Sequence, residues 1–318
     1  MNKHVAWMLF LAFFAVSAAA FPAEKMKIIF DTDLAGDIDD AFAHALVQAS
    51  PEFEVLGITV CDGPTDRRAR VSCRMLYEAG QEGIPVAVGR ATRPEDRHPR
   101  QLIWGDGFEA LKPVKESAAD FIIRTLRKYP GQVTIISVGP VTNLGDAIDR
   151  DPAAFRMAKA VYAMFGSFYM GYDGGPVPDP EWNVRCDVPA AKKFMASGVP
   201  IYFAGVDVTT TVKYTEDWRT RLFARRSPLT DAISGLYTLW AEDRMKPDPT
   251  LFDPVAVSMA MGERFVTTRA AHVRITDEGY TVLDESKPAN CFIGMHIDRG
   301  VFLTWLTKRL TEQNLMRR

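Results

Sequence analysis

The sequence predicts an α/β fold: a mainly parallel, Rossmann-like central sheet with helices on both faces. Three observations point there. Strand-like apolar runs alternate with segments of helical period from residue 26 onward. Asp31, Asp33, Val138-Gly139 and Asp207 all fall at predicted strand ends, where sheets of this kind place their ligands. No linker-like stretch and no internal repeat interrupts the alternation, so residues 24–318 read as one domain.

The elements follow in order. Met26-Lys-Ile-Ile-Phe30 is the first strand, ending at Asp31. Residues 40–49 carry apolar side chains at helical spacing, and residues 53–60 are β-rich up to Cys61-Asp-Gly-Pro64. Residues 65–79 form a helix with many Arg on one face; residues 84–88 are a strand, and a Pro- and Arg-rich loop follows. A helix over 117–128 precedes a strand over 133–138, which Gly139-Pro140 breaks before a helix from Thr142. Residues 160–164 and 201–206 are further strands. Residues 166–183, rich in Gly, Pro and aromatics, read as a loop over the site.

The N-terminus stands apart. Lys3 and His4 precede an apolar run from Val5 to Val16, and Ser17-Ala-Ala-Ala20 supplies small residues for cleavage. Residues 1–20 therefore read as a secretory signal peptide, cut after Ala20 or Ala23, and the protein as exported, periplasmic or secreted. The run is short for a bilayer, and nothing later looks like a membrane span. A net charge of −2 argues against nucleic acid or an anionic membrane as partner and leaves a small molecule. Four scattered cysteines have no zinc spacing and read mostly as small buried hydrophobes, Cys61 and Cys73 being the pair closest in sequence.

Chemistry is concentrated in Asp31-Thr-Asp-Leu-Ala-Gly-Asp-Ile-Asp-Asp40, five carboxylates in ten residues at a strand end and helix start. One Asp there is readily a helix cap. Five together repel, and a divalent cation relieves the repulsion. Oxygen-only ligands favour Ca²⁺ or Mg²⁺ over zinc.

Haloacid dehalogenase-like phosphatases also follow a strand with Asp-x-Asp, but they want Thr or Val where this chain has Ala35. The segment better resembles the opening Asp-x-Asp-x-Gly-x-Asp-Asp-Ala of the inosine/uridine-preferring nucleoside hydrolase family, in a longer form. The resemblance continues through Val55-Leu-Gly-Ile-Thr-Val60, Gly139-Pro-Val-Thr-Asn-Leu144, Glu181-Trp-Asn183 with Asp187, Val206-Asp-Val-Thr209 and Phe252-Asp-Pro-Val-Ala256. Several motifs in one order over most of the mature chain are more specific than any one of them.

The resemblance implies a nucleoside hydrolase-like fold and Ca²⁺-dependent hydrolysis of the N-glycosidic bond of a riboside, by a homodimer or homotetramer. It implies Asp33, Asp40, Asp253 and the main-chain carbonyl of Val138 as calcium ligands. Asp33 would also be the general base on a metal-activated water, and Asp39, Glu181 and Asn183 would hold the sugar. Asp31 supports the loop, and Asp37 falls in the extension and is unassigned.

The departures concern the base. Phe252 stands where inosine/uridine-type members carry His, so another donor is needed or the base leaves without strong protonation. Tyr237, Trp240 and Asp243 are candidates; His4 and His44 are not obvious acids. Pro64 replaces a sugar-binding amide, unless Asp62 substitutes for it. Trp104, Phe168, Tyr169 and Tyr172 could stack on a base or form a lid. Two alternatives stay open: an exported ribose- or nucleoside-binding protein that keeps the metal site without turnover, and, more weakly, an Asp-x-Asp phosphatase.

Overall fold

The computed structural model describes residues 24–96, 98–242 and 248–317. The expected signal segment and Asp243 lie outside the described residues.

The strands are β1 Met26–Thr32, β2 Phe53–Val60, β3 Val86–Val88, β4 Val133–Ser137, β5 Ala160–Met164, β6 Ile201–Ala204, β7 Val266–Ala271, β8 Val273–Ile275, β9 Thr281–Leu283 and β10 Cys291–Ile297. Among the described residues, eight form one sheet in the order β3-β2-β1-β4-β5-β6-β10-β7, while β8 and β9 make a separate hairpin. Every neighbouring pair in the large sheet is parallel except β10 with β7. The α/β expectation is therefore met, with an antiparallel strand closing one edge.

Side chains on β1 alternate between two cores, as the pleat requires. Ile28 and Phe30 join the core shared with helices α1 Asp39–Gln48, α2 Thr65–Glu78, α10 Pro228–Ala241, α11 Asp253–Ala260 and α12 Arg299–Glu312. Ile29 points into the other core, under helices α3 Ala118–Lys128, α4 Thr142–Arg150 and α7 Val188–Met195. The shorter helices are α5 Pro152–Phe155, α6 Trp182–Arg185, α8 Val206–Thr209 and α9 Glu216–Phe223. No described helix is long and apolar enough to cross a membrane.

Three boundaries differ from expectation by more than a single residue. β1 runs on through Asp31 and Thr32, because both pair with β2 and Asp31 also pairs with Ser137 of β4. β3 begins only at Val86. The strand expected over 201–206 stops at Ala204, and Asp207 lies on α8, where it accepts hydrogen bonds from the Phe168 and Tyr169 amides at 2.9 and 2.6 Å. All four cysteines are free, Cys61 and Cys73 included.

Strand order fixes the location of the site. The chain runs outward from β1 to β2 and β3, then returns to β4 on the other side of β1. The crevice at the carboxyl ends of β1 and β4 is thus a topological switch point.

Candidate active site

Asp31 is fully buried at the end of β1. Its carboxylate accepts from Thr59 Oγ1 at 2.5 Å, Asn143 Nδ2 at 2.7 Å and Ser137 Oγ at 3.2 Å, tying together β2, α4 and β4. Burial raises its pKa to about 6 against the pull of these bonds. Asp31 is thus a strut between these three elements, rather than a support for the loop that follows.

Asp33 begins the loop that follows. Two buried side chains fix that loop through its carbonyls. Arg68 donates to the carbonyl oxygens of Asp33 and Leu34, the latter at 2.8 Å, while its Nε reaches Asp62 O at 2.8 Å. Gln101 Nε2 donates to Gly36 O at 3.2 Å and Asp37 O at 2.9 Å. The loop also turns through a left-handed Ala35 at φ 77°, and it delivers Asp39 and Asp40 to the first turn of α1, where the helix dipole favours negative charge. Asp40 accepts from Thr32 Oγ1. Asp253 opens α11, and its amide donates to Asp39 Oδ2 at 3.3 Å.

Asp39, Asp40 and Asp253 each bring an oxygen to within 4.8 Å of the others, and all three are buried. Asp33 stands beside this trio, with Arg68 Nη2 4.0 Å from its carboxylate. All four carboxyls have pKa values well above the ordinary range. Burial is the first cause for each, and repulsion follows: from Asp40 on Asp33, from Asp37 on Asp39, from Asp39 on Asp40 and on Asp253. Hard oxygen donors that repel one another suit a divalent cation, so the residues present fit one.

The opposite wall comes from β4, β5 and α6. Asn183 Nδ2 donates to Val138 O and Met164 O, both at 2.9 Å. Glu181 caps α6: one oxygen accepts from Asn183 N and Tyr172 Oη, the other from Gly166 N and Val184 N. Gly139 has to lack a side chain, since a Cβ there would stand 2.7 Å from Asp33 Oδ1 and from Cys61 Sγ.

These groups enclose a cavity of about 280 Å³. Asp33, Asp39, Asp40, Val138, Glu181, Asn183 and Asp253 all line it, as do Tyr172 and Phe252. Five other expected contacts do not line it. Trp104 packs under Arg74, whose guanidinium carbon is 4.2 Å from the ring centre. Phe168 is buried against Phe203, and Tyr169 lies outside against Arg269. Tyr237 packs against the Phe223 ring and under the Arg219 guanidinium. Trp240 is a core residue, yet its indole donates to Asp37 Oδ1 at 2.5 Å and so braces the cavity rim. The Asp62 carboxylate is held by Arg93 through two 2.6 Å bonds, so it does not replace the amide lost at Pro64.

The sequence reading passed over Arg68, Arg93, Asp96, His98, Trp182 and Arg185, all of which line the cavity. Arg68 is one of four arginines on α2, and only its complete burial sets it apart. His98 and Asp96 sit in a loop with no motif. Trp182 had a signal, as the middle residue of Glu181-Trp-Asn183.

The family model described as inosine-uridine preferring nucleoside hydrolase matches residues 28–304. Uridine nucleosidase 1 of Arabidopsis thaliana is 29% identical, over 81% of this chain and 82% of its own. The pyrimidine-specific ribonucleoside hydrolase RihA of Citrobacter koseri is 28% identical, over 90% and 98%. Among solved structures, the plant nucleoside hydrolase PpNRh1 shares the fold with a TM-score of 0.79 at 24% identity, covering 91% of this chain and 99% of that one.

Proposed function

Since the chain belongs to the inosine-uridine preferring nucleoside hydrolase family and is thus an N-glycosyl hydrolase acting on small-molecule nucleosides, we propose that it hydrolyses a ribonucleoside or related N-riboside with Ca²⁺ bound, releasing ribose and base. The observation that carries this reading is the ring of buried carboxylates around the cavity at the switch point of the sheet.

Asp33, Asp40, Asp253 and the Val138 carbonyl would hold the ion, with Asp39 within its reach. When bound, calcium neutralises these carboxylates and lowers the pKa of the water it holds. Asp33 would orient the attacking water and accept its proton. Asp39, Asn183 and Glu181 hold the ribose hydroxyls and fix C1′ before the water. As the C–N bond stretches, the sugar gains oxocarbenium character, and the surrounding carboxylates stabilise it. No covalent intermediate is required.

Phe252 on the cavity supports one rival, a binding protein without turnover. The phosphatase alternative has no footing in a chain of this family. A nucleoside panel on the mature protein with Ca²⁺, read as released reducing sugar and with Asp33→Ala as control, tests the reading. Tight binding with no ribose from any nucleoside would favour the rival.

The proposal extends to processing. Residues 1–20 would be removed on export to the periplasm or medium, leaving one folded domain that assembles as a dimer or tetramer. N-terminal sequencing of the exported protein and sedimentation of the pure one test these points; a retained leader or a monomer would refute the respective part.

A further inference from the structure

The end of the cavity around Phe252 has an unusual chemistry for expelling a base. Phe252 directly precedes Asp253 and presents hydrocarbon to the cavity, with the Tyr172 ring packed edge-on at 5.7 Å. Tyr172 Oη donates to Glu181 at 3.0 Å, so its proton is already engaged. Asp37, exposed on the same cavity, is locked by bonds to its Oδ1 from Ile38 N at 2.8 Å and Trp240 Nε1 at 2.5 Å. Asp37 Oδ2 has no hydrogen-bond partner among the described residues. Lys213, whose charge reaches Asp37, gives its ammonium to Thr250. Seven carboxylates line the cavity against three arginines, and two of those, Arg68 and Arg93, are already paired with Asp62 and Asp96. A bound dication would leave the balance negative.

Aromatic rings, a fixed carboxylate and an excess of negative charge recognise a cation. We propose that the preferred substrate is an N-riboside whose base is cationic in the ground state, of the N-ribosylpyridinium type, recognised by Asp37, Phe252 and Tyr172. The proposal rests on the hydrolase reading above and names its substrate class. It also accounts for Phe252. A neutral base leaves as an anion unless an acid protonates it. A pyridinium leaves as a neutral molecule, because the C–N bonding pair returns to the ring nitrogen and cancels its charge. Water attacks C1′ and its proton goes to Asp33. The riboside cation and water thus become ribose, neutral base and one proton, with no acid consumed.

The test compares nicotinamide riboside, a permanent cation, with uridine and inosine on the Ca²⁺-loaded protein. We expect kcat/KM for the cation to exceed both neutral nucleosides by about tenfold or more. Asp37→Asn, close to isosteric and on the rim, should cost the cation about tenfold while moving uridine less than about threefold. Phe252→His should raise uridine turnover. Equal or better hydrolysis of uridine or inosine by the wild type overturns the proposal, as does an unchanged cation-to-uridine ratio in Asp37→Asn. His98 is the one imidazole on the cavity among the described residues. Loss of efficient uridine turnover in His98→Ala would identify it as the leaving-group acid and likewise count against the proposal. If neutral nucleosides turn over without preference for the cation, the hydrolase reading stands and only this inference falls. If nothing turns over, calorimetry decides: tighter binding of nicotinamide riboside than of uridine sustains the recognition, and equal binding ends it.

Discussion

The side-chain amide of Asn183 donates to the main-chain carbonyl of Val138 at 2.9 Å. A residue assigned to the sugar thereby orients an oxygen assigned to the ion. The two tasks are coupled through one hydrogen bond, and Asn183 reaches Met164 O as well.

Asn183→Ala should therefore weaken calcium as well as substrate. Removing a group that orients a ligand costs about 10- to 100-fold in metal affinity. Calorimetric titration of calcium without substrate measures this directly. Unchanged calcium affinity beside a raised KM would confine Asn183 to the sugar.

Asp33→Asn should lower kcat by about 10²- to 10⁴-fold if Asp33 takes the proton from water. The amide can still occupy a ligand position, so calcium binding should fall less than in Asp33→Ala. Kinetics and calorimetry on both variants separate the two roles. Equal kcat in Asp33→Asn and wild type would move the base elsewhere.

Arg68→Met should destabilise the protein by about 3 kcal/mol, because it removes the closest cation from buried Asp96, leaving only Arg93 beside it, and releases the Asp33 and Leu34 carbonyls in the interior. Urea denaturation with calcium removed checks the figure. A change below about 0.5 kcal/mol would mean that Arg93 alone satisfies the cluster.

The four raised carboxyls set an inverted pH dependence for the metal-free protein. In the unfolded chain an Asp titrates near pH 4. Folded, Asp33, Asp39, Asp40 and Asp253 all hold their protons to higher pH. Between those limits the native state binds more protons than the unfolded one, so stability falls as pH rises. The chelated protein should melt higher near pH 5 than near pH 8, and calcium should raise Tm most near pH 8. A chelated protein most stable at pH 8 would contradict this.

Sequence and structure agree best where a pattern is local. The alternation of elements and the acidic start of α1 depend on neighbours in the chain. The alternation holds and α1 starts within a residue of where it was expected, whereas β1 runs past its expected end because β2 and β4 pair with it there. What escaped depends on distant packing. Arg68 looks like its neighbours Arg67 and Arg70 until α2 docks and buries it alone among them. Phe168, Tyr169 and Tyr172 looked interchangeable, yet of these three only Tyr172 faces the cavity, because Asp207 on α8 takes the amides of Phe168 and Tyr169. Asp37 lacked a role because its partner, Trp240, is 203 residues away.

The unbridged state of Cys61, Cys73, Cys186 and Cys291 has a practical consequence for manufacture. The chain needs neither an oxidase nor an isomerase to reach its native form. Residues 24–318 can be produced in a reducing cytosol, and reductant in the buffer should leave the product intact.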